Sequence, residues 1–202
     1  GGDPLCLHAP GITWTIEADG PHETATASVD LDQLGGRVVL ELRSGTSNLK
    51  PPIVTEDRRR TQSERFWSGW VNTLKLPKYH RDLVARSSLV IKALSYGPNG
   101  AIAAAGTTSL PEQLGGVRNW DYRFCWPRDA AMAASALLRL GNTGHAMRLA
   151  DYLAAIVDRL ESPDRLRPIY TVSGEDLGPE AEISCMAGYA DSRPVRISNA
   201  AS

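Results

Sequence analysis

Cysteine is scarce. The chain has 202 residues and three cysteines, Cys6, Cys125 and Cys185, set far apart. No Cys-x-x-Cys pair or Cys/His cluster at metal-ligand spacing occurs, and the odd count excludes a complete disulfide framework. The four histidines, His8, His22, His80 and His145, are equally scattered, and each reads as a surface or packing residue. An excess of one charge is also lacking. The net charge of -1 supplies no overall field for nucleic acid or an anionic membrane. No apolar run approaches the roughly 20 residues that cross a bilayer. There is no Asn-x-Ser/Thr acceptor, no phosphate loop and no visible signal peptide. A soluble, cytoplasmic protein is expected, with no cofactor, no metal, no nucleic-acid partner and no membrane contact. Nothing in the sequence sets an oligomeric state. The chain opens Gly1-Gly2-Asp3, without Met, and is expected to have been cut from something longer.

Aromatic residues make up only 6% of the chain, yet Trp120, Tyr122, Phe124 and Trp126 occupy alternate positions of one stretch. In extended backbone the period-two geometry puts all four on one face, with Asn119, Asp121, Arg123 and Cys125 on the other. Pro127 follows, then adjacent Arg128 and Asp129, then a run of small residues. Flat rings beside a planar guanidinium and a carboxylate suit a sugar, which has apolar C–H faces and a rim of hydroxyls needing directional partners. The same residues also fit a plainer arrangement, in which core aromatics precede a helix that Asp129 caps.

The first fifty residues read as β. Ile12, Trp14 and Ile16 alternate with polar residues, Ala25 to Leu31 form a second run, and Arg37 to Arg43 a third. Asp19-Gly20-Pro21 and Gly35-Gly36 supply turns. Three strands leave an apolar face uncovered. Residues 44–60 have linker chemistry. Arg58-Arg59-Arg60 is the one dense basic run, and Glu56, Asp57 and Glu64 nearly neutralise it, so it reads as a solvated helix start. Phe66, Trp67 and Trp70 fit the buried stripe of a short helix. A second helix is expected over 80–96, with Leu83, Ser87, Val90 and Leu94 on one side and Gly97-Pro98 stopping it. Residues 101–113 look like a loop. Further helices are expected over 128–140 and 144–160. The latter has Thr143 as its cap and Met147, Ala150, Leu153, Val157 and Leu160 on its apolar side. Residues 161–202 lose periodicity, and so long a loop is either functional or short of its packing partner. The order is a β domain followed by an α domain, neither of them complete.

The segment from Gly106 to Asp129, GTTSLPEQLGGVRNWDYRFCWPRD, resembles the signature of glycoside hydrolase family 15, which contains glucoamylases, glucodextranases and bacterial trehalases. Ala85–Leu94 resembles the helix before that signature. Pro168–Gly174 resembles a later loop, and Ser192–Ala201 a second family motif. The resemblance runs from about residue 64 to the end; residues 1–50 match by position. It implies an α+β multidomain fragment: residues 1–50 end an N-terminal antiparallel β-sandwich, 51–79 form a linker with a short helix, and 80–202 begin an (α/α)6 toroid. Two positions depart from the family pattern: Pro127, where leucine is common in bacterial members, and Ser198, where glycine is common.

The resemblance further implies exo-acting, inverting hydrolysis of an α-glucoside, either trehalose, a maltooligosaccharide or a related glucan. Inversion uses a general acid and a general base roughly 6.5–9.5 Å apart. Both are expected after Ser202, so residues 1–202 alone are expected to be inactive. Glu175, Asp176, Glu180 and Glu182 match no catalytic position and read as solvated loop charges. By the same resemblance Tyr122, Trp126, Arg128 and Asp129 surround the terminal glucose. Arg128 and Asp129 would hold the hydroxyls furthest from the broken bond, Trp126 would be an apolar wall, and Tyr122 would lie near the anomeric carbon. Trp120, Arg193 and Arg196 are weaker candidates. Two alternatives stay open: an inverting disaccharide phosphorylase of similar architecture, and a non-catalytic sugar-binding protein.

Overall fold

The computed structural model describes residues 4–19, 22–52 and 54–201. The chain forms two compact units, Gly1–Arg65 and Phe66–Ser202. The described residues combine four small antiparallel sheets, each two-stranded, with four α-helices.

In the first unit β1 (Leu5–His8) pairs with β4 (Glu41–Ser44), and β2 (Thr15–Asp19) pairs with β3 (His22–Thr26). The three expected strands are corrected to two separate pairs. Leu31 opens a turn instead of ending a strand, because Leu34 and Gly36 donate their N–H groups to its carbonyl at 3.1 and 2.7 Å. Just before it, Asp30 Oδ1 accepts the Asp32 N–H at 3.0 Å, the local side-chain bond that draws Asp into turns. The turn expected at Gly20-Pro21 lies outside the described residues. The apolar side is uncovered, with Leu5, Ile16 and Leu42 all about two-thirds exposed.

Helix α1 (Glu56–Asn72) has 17 residues, longer than the short helix expected, and none of them is buried. Its aromatic stripe is not a core stripe: Phe66 is 56% exposed. The basic run is neutralised differently from the expectation. Arg59 pairs with Glu41 at 2.8 Å and Arg60 with Glu64 at 3.0 Å, while Glu56 and Asp57 both engage Arg37. Exposed pairs of this kind contribute little to stability, about 0–1 kcal/mol each.

In the second unit the helices are α2 (Arg81–Leu94), α3 (Pro127–Arg139) and α4 (Thr143–Val157). The three residues between α3 and α4 make them antiparallel neighbours. Gly141 has φ +83°, and Asn142 caps α4, its Oδ1 accepting the His145 N–H. The cap is therefore Asn142 and not Thr143. The core gathers Ala101, Ile102, Cys125, Ala130, Ala134, Leu149, Tyr152, Ile156 and Tyr170. Both apolar stripes expected for α2 and α4 are rotated from the observed ones. Leu83 and Val90 are exposed while Ser88 is buried, and Met147 and Val157 are exposed while His145, Leu149, Tyr152 and Ile156 are buried.

The segment 101–113 is not simply a loop. Ala101 and Ile102 are buried, and Thr108–Pro111 forms strand β5, paired with β6 (Asn119–Asp121). The long C-terminal stretch also has structure: β7 (Ala181–Glu182) pairs with β8 (Arg196–Ile197).

Gly100 shows how closely these segments approach. Its φ is +82°, and a Cβ added there would lie 2.5 Å from Arg148 Cβ and 2.9 Å from the Arg148 carbonyl carbon on α4. Left-handed backbone and overpacking each disfavour a side chain, so Gly100→Ala is expected to destabilise the protein by about 2–4 kcal/mol. A denaturant midpoint equal to wild type would show that this loop does not press on α4.

Candidate functional site

The stretch from Asn119 to Trp126 alternates as its sequence requires, but the buried side is the polar one. Asn119, Asp121 and Cys125 are fully buried, whereas Trp120, Tyr122, Phe124 and Trp126 are half-buried. The aromatic residues are thus partly open, with Tyr122 and Trp126 paired, and the buried polar residues form a seam beside them.

That seam is where the separate motifs meet. Cys125 and Tyr170 exchange backbone hydrogen bonds of 2.9 and 3.0 Å, tying the Pro168–Gly174 loop to one end of the stretch. Residues 192–199 close the other end. Asn119 Nδ2 donates to the carbonyls of Gly116 and Pro194, and Asn199 Nδ2 donates to the Asp121 carbonyl. Ser109 sits at an irregularity of β5 with φ +57°. Its Oγ accepts the Arg196 N–H at 2.7 Å and donates to the Arg196 carbonyl at 3.1 Å. Three stretches singled out in the sequence are therefore one local structure.

On the open face the Tyr122 and Trp126 rings lie 5.8 Å apart at 47°. Trp126 is the N-cap of α3, with extended φ and ψ of -92° and 115° and no side-chain cap bond. Extended backbone is what a following proline imposes, and Pro127 suits the first helical position because its missing N–H is not needed there. Arg128 and Asp129 come next, in the first turn, where the helix dipole favours a carboxylate. Among the described residues Asp129 bonds only to Arg128, Nη2 to Oδ2 at 3.1 Å. It accepts no backbone N–H, so it is not the helix cap. The couple is accessible, with side chains 79% and 48% exposed. Trp126 and Arg128 line one open depression of about 350 Å³ with Leu166, Arg167 and Pro168, and Tyr122 and Asp129 lie outside that lining.

The weaker candidates separate. Arg196 lies 4.8 Å over the Trp120 ring and pairs with Glu180 at 3.4 Å and Glu182 at 3.5 Å. Its Nη1 donates to the Val117 and Asn119 carbonyls. Glu180 is accordingly a brace and not a solvated charge; it also accepts the Ala200 N–H at 3.2 Å. Asp176 pairs with Arg167 at 3.3 Å. Arg193 is exposed and donates to the Ser184 carbonyl.

Sequence reasoning missed Asp121. Its carboxylate takes the Arg123 N–H (3.2 Å) and Nε (2.9 Å) on Oδ1, and Arg123 Nη2 (2.7 Å) and the Ser198 N–H (3.1 Å) on Oδ2. Burial alone would raise its proton affinity, but these bonds and the Arg123 charge outweigh burial and hold the carboxyl below the ordinary carboxylate value. The available signal was spacing: period-two alternation would put residues 121 and 123 on one face, where an Asp-x-Arg can pair, although β6 itself ends at Asp121. Ser198 has φ +64°, a left-handed backbone that glycine adopts more readily than serine.

Among the described residues there is no group of three His, Cys, Asp or Glu able to hold a metal ion, and no helix is long and apolar enough to cross a membrane.

Residues 1–67 match the model described as "Trehalase-like, N-terminal", and residues 78–202 match "Glycosyl hydrolases family 15". Trehalase 1 of Sulfolobus acidocaldarius is 48% identical over 121 residues, 59% of this chain and 22% of that protein. Trehalase of Thermoplasma acidophilum is 34% identical over 191 residues, 95% of this chain and 32% of its own length. Trehalase of Mycobacterium tuberculosis is 40% identical over 159 residues, 75% of this chain and 23% of its own. No solved structure matches. The chain spans less than a third of the length of these relatives. The match over 78–202 takes in the aromatic stretch, both motifs that close on it and the Arg128–Asp129 couple, and the chain belongs to the glycosyl hydrolases of family 15.

Proposed function

We propose that the protein containing this chain is an exo-acting, inverting hydrolase of α-glucosidic bonds, with trehalose as its substrate, and that this chain carries the glucose-holding half of the site. The observation that carries the reading is the Arg128–Asp129 couple, exposed at the start of α3 beside the Tyr122–Trp126 ring pair. A guanidinium offers paired donors and a carboxylate offers paired acceptors, which together match vicinal hydroxyls. The rings suit the apolar face of the pyranose. Trehalose is preferred among α-glucosides because the relatives named above are trehalases. In this reading residues 1–50 belong to a β-sandwich, 51–79 link it to the next domain, and 80–202 begin an (α/α)6 toroid.

The general acid and base come from elsewhere in the protein. The carboxylates closest in sequence to the aromatic face are each tied to an arginine: Glu112 to Arg118, Asp121 to Arg123, and Asp129 to Arg128. A general acid requires a raised pKa, and Asp121 is held low.

Product stereochemistry tests the proposal. Inversion at one anomeric carbon of α,α-trehalose gives one β-glucose and leaves the departing ring as α-glucose. Retention gives two α-glucoses. Early-time NMR of the full-length protein on trehalose is expected to show the two anomers in equal amounts before mutarotation. Two α-glucoses would refute inversion, and glucose 1-phosphate appearing only with phosphate would favour a phosphorylase.

A further inference from the structure

We infer that Asp121, buried behind the aromatic face, is a positioning residue that fixes Tyr122 by clamping the second motif onto the signature stretch; the inference rests on the hydrolase reading of that face. Asp121 is 0% exposed, so it cannot meet a substrate. Its two oxygens are saturated by four donors, three from Arg123 and one from Ser198.

The pattern of these bonds singles out Tyr122. The Arg123 N–H returning to Asp121 Oδ1 closes a side-chain turn with Tyr122 at its middle. The backbone of Tyr122 is held on both edges as well: its N–H donates to the Thr107 carbonyl at 3.3 Å, and its carbonyl accepts the Ala105 N–H at 2.9 Å. Asn199 Nδ2 holds the Asp121 carbonyl directly before it. Tyr122 therefore has little freedom in backbone direction, and its ring is presented to the open side beside Trp126. A carboxylate is the right group for this task. It is acceptor-only with room for four donors, whereas an amide would turn an N–H₂ toward donors it cannot pair with. Ser198 takes a left-handed backbone to deliver its N–H to this carboxylate. Arg128 and Asp129 stand on α3 and, among the described residues, share no hydrogen bond with the clamp.

The test uses the full-length protein with Asp121→Asn, read by trehalose kinetics and by hydrogen exchange of the amides at 121–123 and 196–199. Displacement of a transition-state contact by an ångström costs about 100-fold. The expected result is a fall in kcat of about that size, with KM for trehalose little changed and faster exchange at both segments. Wild-type kcat together with faster exchange would overturn the positioning role, and wild-type exchange would overturn the clamp. If Asp121→Asn does not fold, Arg123→Met decides, because the Arg123 side chain is half exposed. A smaller loss of the same kind, in kcat and not KM, supports the inference, and wild-type kinetics overturn it. A wild-type protein that turns over no α-glucoside would sink the hydrolase reading, while the exchange measurements would still decide the clamp.

Discussion

Asp129→Ala in the full-length protein is expected to lower kcat/KM on trehalose by about two to four orders of magnitude while leaving the melting temperature almost unchanged. The activity loss follows from the role proposed for the couple. A carboxylate that accepts two sugar hydroxyls makes two charge-assisted bonds, each contributing roughly 1.5–3 kcal/mol, and each 1.36 kcal/mol of lost transition-state stabilisation is about tenfold in rate. The variant also leaves Arg128 without its counter-ion, so a guanidinium that was oriented at 3.1 Å loses its fixed direction. Stability is spared because the pair is exposed and surface ion pairs contribute about 0–1 kcal/mol. Asp129→Asn, which keeps one acceptor, should fall between the two. Wild-type kcat/KM in Asp129→Ala would remove this couple from the site and leave the aromatic face without its polar partner.

The contrast between Asp129 and Asp121 shows what could be read from sequence and what could not. Much of the period-two alternation of residues 119–126 was legible, with Arg123 the exception, and so was a helix from about Arg128, which the structure starts one residue earlier at Pro127. The side that would be buried was not. Apolar residues ordinarily face inward, yet Asn119 and Asp121 are the buried ones: besides local partners at Gly116 and Arg123, residues 194–199 supply a donor or an acceptor to each from more than seventy positions away. Local pattern carries no information about such partners. The helices failed in a similar way. In α2, Leu83 and Val84 are adjacent, as are Val90 and Ile91, so a period of 3.6 fits two faces almost equally. The choice between them is made by contacts outside the helix, among them Lys92 to His145. Residues 161–202 looked structureless because their order comes from bonds to Asp121, Cys125 and Ser109 and not from any periodicity of their own.

That same Lys92–His145 contact makes stability depend on pH. His145 is 7% exposed. Its Nδ1 lies 2.8 Å from Asn142 Oδ1 and its Nε2 lies 2.8 Å from Lys92 Nζ. An amide oxygen can only accept and an ammonium can only donate. The ring is therefore neutral, with its proton on Nδ1 and its Nε2 lone pair facing Lys92. Burial first, then the charges of Lys92 and Arg148, push its pKa down from 6.5 to about 4. The unfolded chain takes up a proton near 6.5, whereas the folded protein resists until about 4. Between these values the unfolded state binds more protons, so stability declines as pH falls through that window and levels off below it. The whole decline is expected to be about 3 kcal/mol. Glu41 and Asp121, both held below their ordinary values of 4.5 and 3.8, lose their share only beneath those values. Among the described residues, His145 is the group whose lowered pKa acts from pH 6.5 to 4.5. Denaturant midpoints of the full-length protein across this range should fall with acidification. His145→Gln can still donate to Asn142 and accept from Lys92 without titrating, and it should flatten the curve. A wild-type profile already flat over that window, or one that keeps its slope in His145→Gln, would show that this ring is not held neutral against Lys92.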